Sequence, residues 1–401
     1  MAPKVLDLFC GAGGFSLGFH RAGFEVVGAI DYEPAALETF RLHHDTLAVP
    51  ADLSRLLDDG GPTGEDLLDL VGLTPADVDV VIGGPPCQGY SQSSDRDPDD
   101  PINDLVWTFL EVVEAADAHA FAMENVPGLL EHKGGETMAA LVECADSLGY
   151  NVAYEVLNAA DFEVPQNRHR VIFFGVRGGE PTHPEPLGGE PIPVQEALSQ
   201  VTGELLPDNE WTDHRPTTVE KIAQLNVGES LHGKHRQVRL DPTKPARTIT
   251  ASNRHIHPFE DRELSIRECA VLQSFPPTYD FAGWENRDAR TRQVGNAVPP
   301  KLAEHIAYAL LKSLWEVTDR VPTDSVRTSS KQIAGPTGRL TEREVEATLL
   351  RAGGLTWEQV GDEMGITYKT ASTHYYRARE KAEMARETFA VFERLNLGER
   401  D

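Results

Sequence analysis

Val5-Leu6-Asp7-Leu8-Phe9-Cys10-Gly11-Ala12-Gly13-Gly14-Phe15 reads as a short apolar strand running straight into a glycine-rich turn. Glycines at 11, 13 and 14 free the backbone to turn tightly and let a ligand approach the main chain closely. A helix is predicted from this turn to about Ala22, then a second strand over Val26 to Ile30 ending at Asp31, then a helix from Pro34 to about His43. Ala51-Asp52-Leu53 stands where a third strand finishes. The alternation is that of an α/β, doubly wound, Rossmann-like sheet, in which ligands gather at the carboxyl ends of the strands. Asp31, about twenty residues beyond the glycines, is placed to take ribose hydroxyls. Asp52 is placed to accept from an adenine amino group. Taken alone, the glycine turn also suits a purely structural connection, and Asp52 a helix cap.

Working along the chain, the apolar run Val78 to Ile82 delivers Gly83-Gly84-Pro85-Pro86-Cys87-Gln88-Gly89. A thiolate is an intrinsically strong nucleophile, and this polar, turn-rich loop presents one at the edge where reacting groups collect. The competing reading of Cys87 is a small buried hydrophobe. Leu105 to Ala116 has helical spacing. Ala120 to Met123 is a short buried strand ending in Glu124, followed by Asn125-Val126-Pro127. Val152 to Leu157 and Val171 to Val176 are further strands, separated by Pro165-Gln166-Asn167-Arg168-His169-Arg170. Arg168 and Arg170 alternate, so period-two geometry aims both guanidiniums at one face, either of a reaction site or of an ordinary solvated strand edge.

The 401 residues carry 37 Lys and Arg against 64 Asp and Glu, a formal charge of -27. That balance opposes a polyanionic partner unless basic groups are gathered locally. They are: His214 to His257 holds eight Lys/Arg (Arg215, Lys221, Lys234, Arg236, Arg239, Lys244, Arg247, Arg254) against three acids, with five histidines between. The acid-rich, arginine-over-lysine remainder is expected of adaptation to high salt, which folding measured against potassium chloride tests. Cys10, Cys87, Cys144 and Cys269 lie far apart, so neither a metal site nor a disulfide framework is expected. The chain shows no leader and no apolar run long enough for a membrane, and a cytoplasmic protein is expected.

Asp7-Leu8-Phe9-Cys10-Gly11-Ala12-Gly13-Gly14-Phe15, Pro85-Pro86-Cys87-Gln88, Glu124-Asn125-Val126, Gln166-Asn167-Arg168-His169-Arg170 and Gln293-Val294-Gly295-Asn296-Ala297 together closely resemble, in order and spacing, the DNA cytosine-5 methyltransferases. The resemblance covers roughly residues 4 to 316. It implies S-adenosylmethionine as cofactor, bound by Phe9, Gly11, Ala12, Gly13, Asp31, Tyr32, Asp52, Leu53, Pro85, Leu105, Asn296 and Ala297. It implies that Cys87 attacks carbon 6 of a cytosine extruded from double-stranded DNA, making carbon 5 nucleophilic enough to accept the methyl group. Glu124 would stabilise charge at ring nitrogen 3, Asn125 would order the loops around the site, and Gln166, Arg168 and Arg170 would secure the cysteine loop and the cytosine carbonyl. The resemblance implies either a restriction–modification role, with a cognate restriction endonuclease as partner, or a solitary DNA methylase, and a monomer is expected. The same chemistry on transfer RNA, or an inactive DNA-binding regulator on this scaffold, are the alternatives.

Composition shifts after Val176 and again at a polar linker (318–339) before a small all-α unit (340–386), and the resemblance implies that what precedes the linker is a discontinuous catalytic domain (1–177 and 263–317) interrupted by a small irregular target-recognition domain (178–262). Base reading is expected from Arg215, Lys234, Arg236, Arg239 or Arg254, arginine or lysine to guanine being the commonest specific contact. In the last unit a possible capping box at Thr341 to Glu344 opens the first of three predicted helices. The pattern resembles the helix-turn-helix of sigma factors, whose last helix would carry Lys369, Thr370, Ser372, Thr373, His374, Arg377 and Arg379 toward DNA. Ten basic and twelve acidic residues over 339–401 leave a protein-interaction role open.

Overall fold

The computed structural model describes residues 2–57, 61–86, 104–201, 206, 208–231, 237–252, 254–283, 286–318 and 364. Cys87, Lys234, Arg236 and the expected helix-turn-helix, Met364 apart, lie outside the described residues. The chain divides into the units Met1–Pro322 and Thr323–Asp401.

In the first unit the order begins β1 (Lys4–Leu8), α1 (Gly14–Arg21), β2 (Glu25–Asp31), α2 (Pro34–His43) and β3 (Ala48–Pro50). It continues α3 (Gly64–Leu70), β4 (Val80–Gly83), α4 (Leu105–Ala115), β5 (Ala120–Asn125), α5 (Glu136–Ser147), β6 (Tyr150–Asn158), β7 (Gln166–Asn167) and β8 (His169–Arg177). After these come α6 (Val194–Leu198), α7 (Pro216–Ala223), β9 (Ala246–Arg247), α8 (Ile266–Leu272), α9 (Arg287–Asn296) and α10 (Pro300–Thr318). The third strand ends before Ala51, earlier than its sequence pattern predicts: Asp52 instead accepts from the Ser54 amide and hydroxyl and turns the chain.

Seven strands form one sheet in the order β3-β2-β1-β4-β5-β8-β6. β1 to β5 run parallel, and β8 is antiparallel to both β5 and β6. Alternation along the buried strands sends side chains to two cores. Val5, Ile82, Ala122 and Phe174 face Phe15 and Phe19 of α1 and Leu302, Ile306 and Leu310 of α10. Leu6, Leu8, Val81, Phe121 and Phe173 face Phe109 and Val113 of α4 and Leu141 of α5. Fully burying one such phenylalanine contributes about 1.5–3 kcal/mol. α10 crosses α1 so closely that a Cβ on Gly18 would stand 2.3 Å from Ala303 Cβ and 2.6 Å from the Pro300 carbonyl oxygen. The last helix of this unit thereby completes the face begun by the first.

A third core joins Val194, Leu240, Ala246 and Ile249 to Ile266, Leu272, Phe275, Phe281 and Val294. The irregular segment is therefore packed against α8 and α9 rather than self-sufficient. Register then sets where chemistry collects: Leu8 pairs with Gly83, Gly83 with Met123, and Glu124 with Ile172. The glycine turn, the Gly84-Pro85-Pro86 loop, Glu124-Asn125 and the incoming end of β8 all emerge at one sheet edge.

Candidate active site

Glu124 is the penultimate residue of β5, with 8 % of its surface exposed. Arg170, near the start of antiparallel β8, places Nε 2.6 Å from Glu124 Oε1. A Cβ on Gly84 would lie 3.5 Å from Oε2, so the second carboxylate oxygen faces the loop that leads to Cys87. Asn125, buried beside it, donates from Nδ2 to the Pro85 carbonyl at 3.2 Å and accepts the Val126 amide at 2.8 Å. One asparagine thus ties the acid-bearing strand to the loop two residues before the thiol. An acid held by a guanidinium, next to a tethered loop, is an arrangement for sharing a proton with a flat ligand brought in from the open edge.

Arg168 departs from the common face predicted for it. Its guanidinium is fully buried, and Nη1 donates to the Ile249 and Gly295 carbonyls, each at 3.0 Å. The reason is local: Arg168 lies between β7 and β8, outside the regular ladder, so strand alternation does not fix its direction. Gln166 is likewise turned inward. Its Nε2 donates to Leu272 O (3.0 Å) and Gln273 Oε1 (2.8 Å), and its Oε1 accepts the Ile249 amide (2.8 Å). Gly295 permits this seam, because a Cβ there would collide with the Thr250 backbone at 2.2 Å. Gln166, Arg168, Ile249, Gln273 and Gly295, remote in sequence, meet in one hydrogen-bonded joint.

The glycine turn has the backbone its sequence requires. Gly11 and Gly13 lie at φ +53° and +84°, and Phe9 takes φ +58°, an uncommon conformation for a residue with a side chain. Asp31 at the end of β2 accepts the Gly11 amide on Oδ2 and the Glu33 amide on Oδ1, both at 2.8 Å. Tyr32 beside it is 65 % exposed. Leu53 and Leu105 are buried in the same core, with Phe9 packed against it. Ala297, just past Asn296 at the end of α9, comes within 3.4 Å of a Cβ on Gly14. The structure thus brings Phe9, Gly11, Gly13, Asp31 and Ala297 around one turn. Asp52 is nearby through the Ala51 amide, which donates to Asp31 O at 3.0 Å.

Two residues of this turn's support were not found from sequence. Tyr279 donates from its hydroxyl to Ala12 O at 2.5 Å while its ring stacks on His43 with centroids 3.6 Å apart. His44 is buried under Gly13, stacked on Phe40 (4.3 Å), and burial pushes its imidazole down to about 3. A Pro276-Pro277 turn before Tyr279 and the change from helix to loop at His44 were the available signals. Neither points to a contact so distant in the chain.

Asp7, on the α1 side of β1, accepts from Ser16 Oγ at 2.6 Å, and its Oδ1 has no partner among the described residues. Burial pushes its carboxyl up to about 7, with the Ser16 hydroxyl acting the other way. Between pH 4 and 7 the folded chain therefore keeps a proton that the unfolded chain has released. The stability this group supplies is full below its ordinary value of 3.8 and is lost as pH rises toward about 7. Asp7→Asn is expected to flatten that part of the pH–stability curve, with a gain on the order of 4 kcal/mol above pH 7. Chemical unfolding of both proteins across the range checks it. Parallel curves would show that Asp7 is not the source.

Two arginines expected to read bases are committed to the interior instead. Arg239 pairs with Asp261 at 2.6 Å and donates to Ile222 O at 2.8 Å; Arg254 pairs with Glu263 at 2.7 Å. A buried guanidinium must be paired, and acids of the 260–263 segment supply the partners. Arg215, Lys221, Lys244 and Arg247 remain at the surface. Among the described residues no His, Cys, Asp and Glu cluster could hold a metal, and no helix is long and apolar enough to cross a membrane.

Residues 3–312 match the family described as C-5 cytosine-specific DNA methylase. The Type II methyltransferase M1.HphI of Haemophilus parahaemolyticus is 40% identical over 335 residues, covering 78% of this chain and 87% of that protein. The Type II methyltransferase M.DdeI of Desulfomicrobium norvegicum is 32% identical over 371 residues, 76% of this chain and 87% of its own. Among solved structures, an E. coli prophage-encoded protein assigned as a DNA modification methyltransferase superposes with TM-score 0.65 at 27% identity, covering 78% and 99% of the two chains.

Proposed function

Because the chain belongs to the C-5 cytosine-specific DNA methylase family, we propose that it is the modification enzyme of a Type II restriction–modification system, with S-adenosylmethionine as methyl donor and Cys87 as nucleophile. The family assignment makes the reaction a methyl transfer to carbon 5 of cytosine in DNA. The observation that best supports the assigned residues is the tether from Asn125 to Pro85 beside the Glu124–Arg170 pair. It ties the general acid's strand to the start of the loop bearing the thiol.

In this reading the Cys87 thiolate adds to carbon 6 of an extruded cytosine, and the ring electrons move toward carbon 5. Glu124 shares a proton at ring nitrogen 3, and Arg170, itself steadied by Nη1 on the His169 carbonyl at 2.8 Å, holds Glu124 in place beside the base. After carbon 5 has accepted the methyl group, a base removes the carbon-5 proton and the thiolate departs, restoring the aromatic ring. Gln166 and Arg168 act through the joint with Ile249 and Gly295, holding the target-recognition segment against the catalytic sheet.

S-adenosylmethionine, when bound, supplies the activated methyl group. The residues at the glycine turn suit it: a Cβ on Gly11 would meet nothing within 4 Å, so space lies open beside the main chain, and the Tyr32 ring is free to cover an adenine. Phe9, Gly11, Ala12, Gly13, Asp31, Tyr32, Asp52, Leu53, Pro85, Leu105, Asn296 and Ala297 are the residues that would hold it. The substrate is double-stranded DNA, and a restriction endonuclease reading the same sequence is the functional partner.

Bisulfite sequencing of plasmid DNA from cells with and without the gene tests the proposal. One short sequence should become protected at a single cytosine, and cleavage by an endonuclease of that specificity should stop. Absence of any new carbon-5 methylation would overturn it.

A further inference from the structure

α9 ends at Asn296 with no glycine to close it, and Ala297 is already extended at φ −60° and ψ 143°. The last carbonyls of a helix have no partner within it and must be met from outside. Here side chains meet them. Gln273 Nε2 donates to the Val294 carbonyl at 2.8 Å and to the Ala297 carbonyl at 3.4 Å, and Arg168 Nη1 donates to the Gly295 carbonyl at 3.0 Å. Gln273 is fully buried, and its own amide is fixed at the end of α8 on the Cys269 and Ala270 carbonyls, at 3.1 and 3.0 Å. Its Oε1 accepts Gln166 Nε2 at 2.8 Å, and Gln166 Oε1 in turn accepts the Ile249 amide at 2.8 Å. Turning either side-chain amide over would set donor against donor and acceptor against acceptor, so both orientations are fixed. The helix end held in this way packs on the glycine turn: a Cβ on Gly14 would lie 2.4 Å from the Val298 carbonyl oxygen and 3.4 Å from Ala297 Cβ.

On the cytosine-5 methyltransferase reading above, we infer that Gln273 is a positioning residue for the methyl donor, capping α9 so that Asn296 and Ala297 stand at the glycine turn. It acts through the helix and touches neither the donor nor the base. Glutamine suits the task because one planar amide donates twice on one side and accepts on the other. Gln166, which locks that amide, faces the recognition segment with its other end, so the two glutamines divide the work. Gln273 sets the donor side of the joint and Gln166 the DNA side. Leaving a buried carbonyl unmet shifts an equilibrium by about five- to 150-fold, and moving the end of α9 off the turn is the way to relieve it.

Isothermal titration calorimetry of the full chain with S-adenosylmethionine, joined to steady-state methylation of duplex DNA, tests this. Gln273→Met keeps the length and loses the donors. It should weaken donor binding by about tenfold and raise KM for the donor by the same factor, with kcat at saturation within about threefold of wild type. Gln166→Met leaves the Val294 and Ala297 carbonyls capped. It should keep donor affinity within about twofold while raising KM for the duplex. Thermal melting checks that each variant is folded. Should Gln273→Met fail to fold, Gln273→Asn, which keeps an amide but falls short of the Val294 carbonyl, takes its place with the same expectations. A folded Gln273 variant that binds the donor within about twofold of wild type overturns the inference while wild-type methyl transfer stands. Equal weakening of donor binding in the Gln273 and Gln166 variants overturns it too, since the loss would then come from a general loosening of the joint. Wild-type protein that binds no S-adenosylmethionine would defeat the parent reading, and this role with it.

Discussion

Cys87→Ser is expected to abolish methyl transfer, by about 10^4- to 10^6-fold, while leaving S-adenosylmethionine binding intact. A cysteine has a few per cent thiolate at neutral pH and a polarisable sulfur, whereas a serine hydroxyl is un-ionised and has no base assigned to activate it here. The same residue predicts a covalent trap. A duplex carrying 5-fluorocytosine at the target, supplied with methyl donor, should accumulate an adduct, because fluorine cannot leave carbon 5 as a proton does. Mass spectrometry should place that adduct on Cys87. Turnover persisting in the serine variant, or an adduct on another side chain, would remove the nucleophile from the mechanism.

The second large effect is at Glu124. Glutamine matches glutamate in shape and can still accept a hydrogen bond from Arg170, but it cannot deliver a proton to ring nitrogen 3. Glu124→Gln should lower kcat by about 100- to 10,000-fold, the range of general acid catalysis, with small changes in KM for duplex and methyl donor. A variant within tenfold of wild type would reduce the acid to a structural partner of Arg170. Comparing kcat with KM separates these cases, since a merely structural loss would disturb binding as well.

How far the fold was readable depended on the range of the interactions involved. β1, β2, α2, α4 and β5 followed from short apolar runs punctuated by glycine, proline and acid, all signals within a few residues. β8 was seen as a strand, but its antiparallel direction between β5 and β6 depends on the connection made by the whole 159–168 segment. Glu124 was legible as the acid ending a buried strand. Its pairing with Arg170 was not, because that 2.6 Å contact exists only once β8 lies against β5.

Arg168 and Arg239 show the same division from the other side. By residue type and spacing both belonged to a ligand-facing surface, yet each guanidinium ends in the interior, on the Ile249 and Gly295 carbonyls and on Asp261. Local sequence records that a cation is present; whether it faces solvent or a buried acceptor is settled by partners tens of residues away.

Chemical identity, then, was written linearly: a thiol in a proline-rich loop, an acid after an apolar strand, glycines where the backbone must turn left-handed. Those features act over a turn or a strand end, and steric limits on φ and ψ reveal them without a neighbour. The choice of which charges serve the ligand and which brace the seam between core and recognition segment belonged to folding alone, because burying a charge is tolerable only where long-range packing has already placed its counterpart.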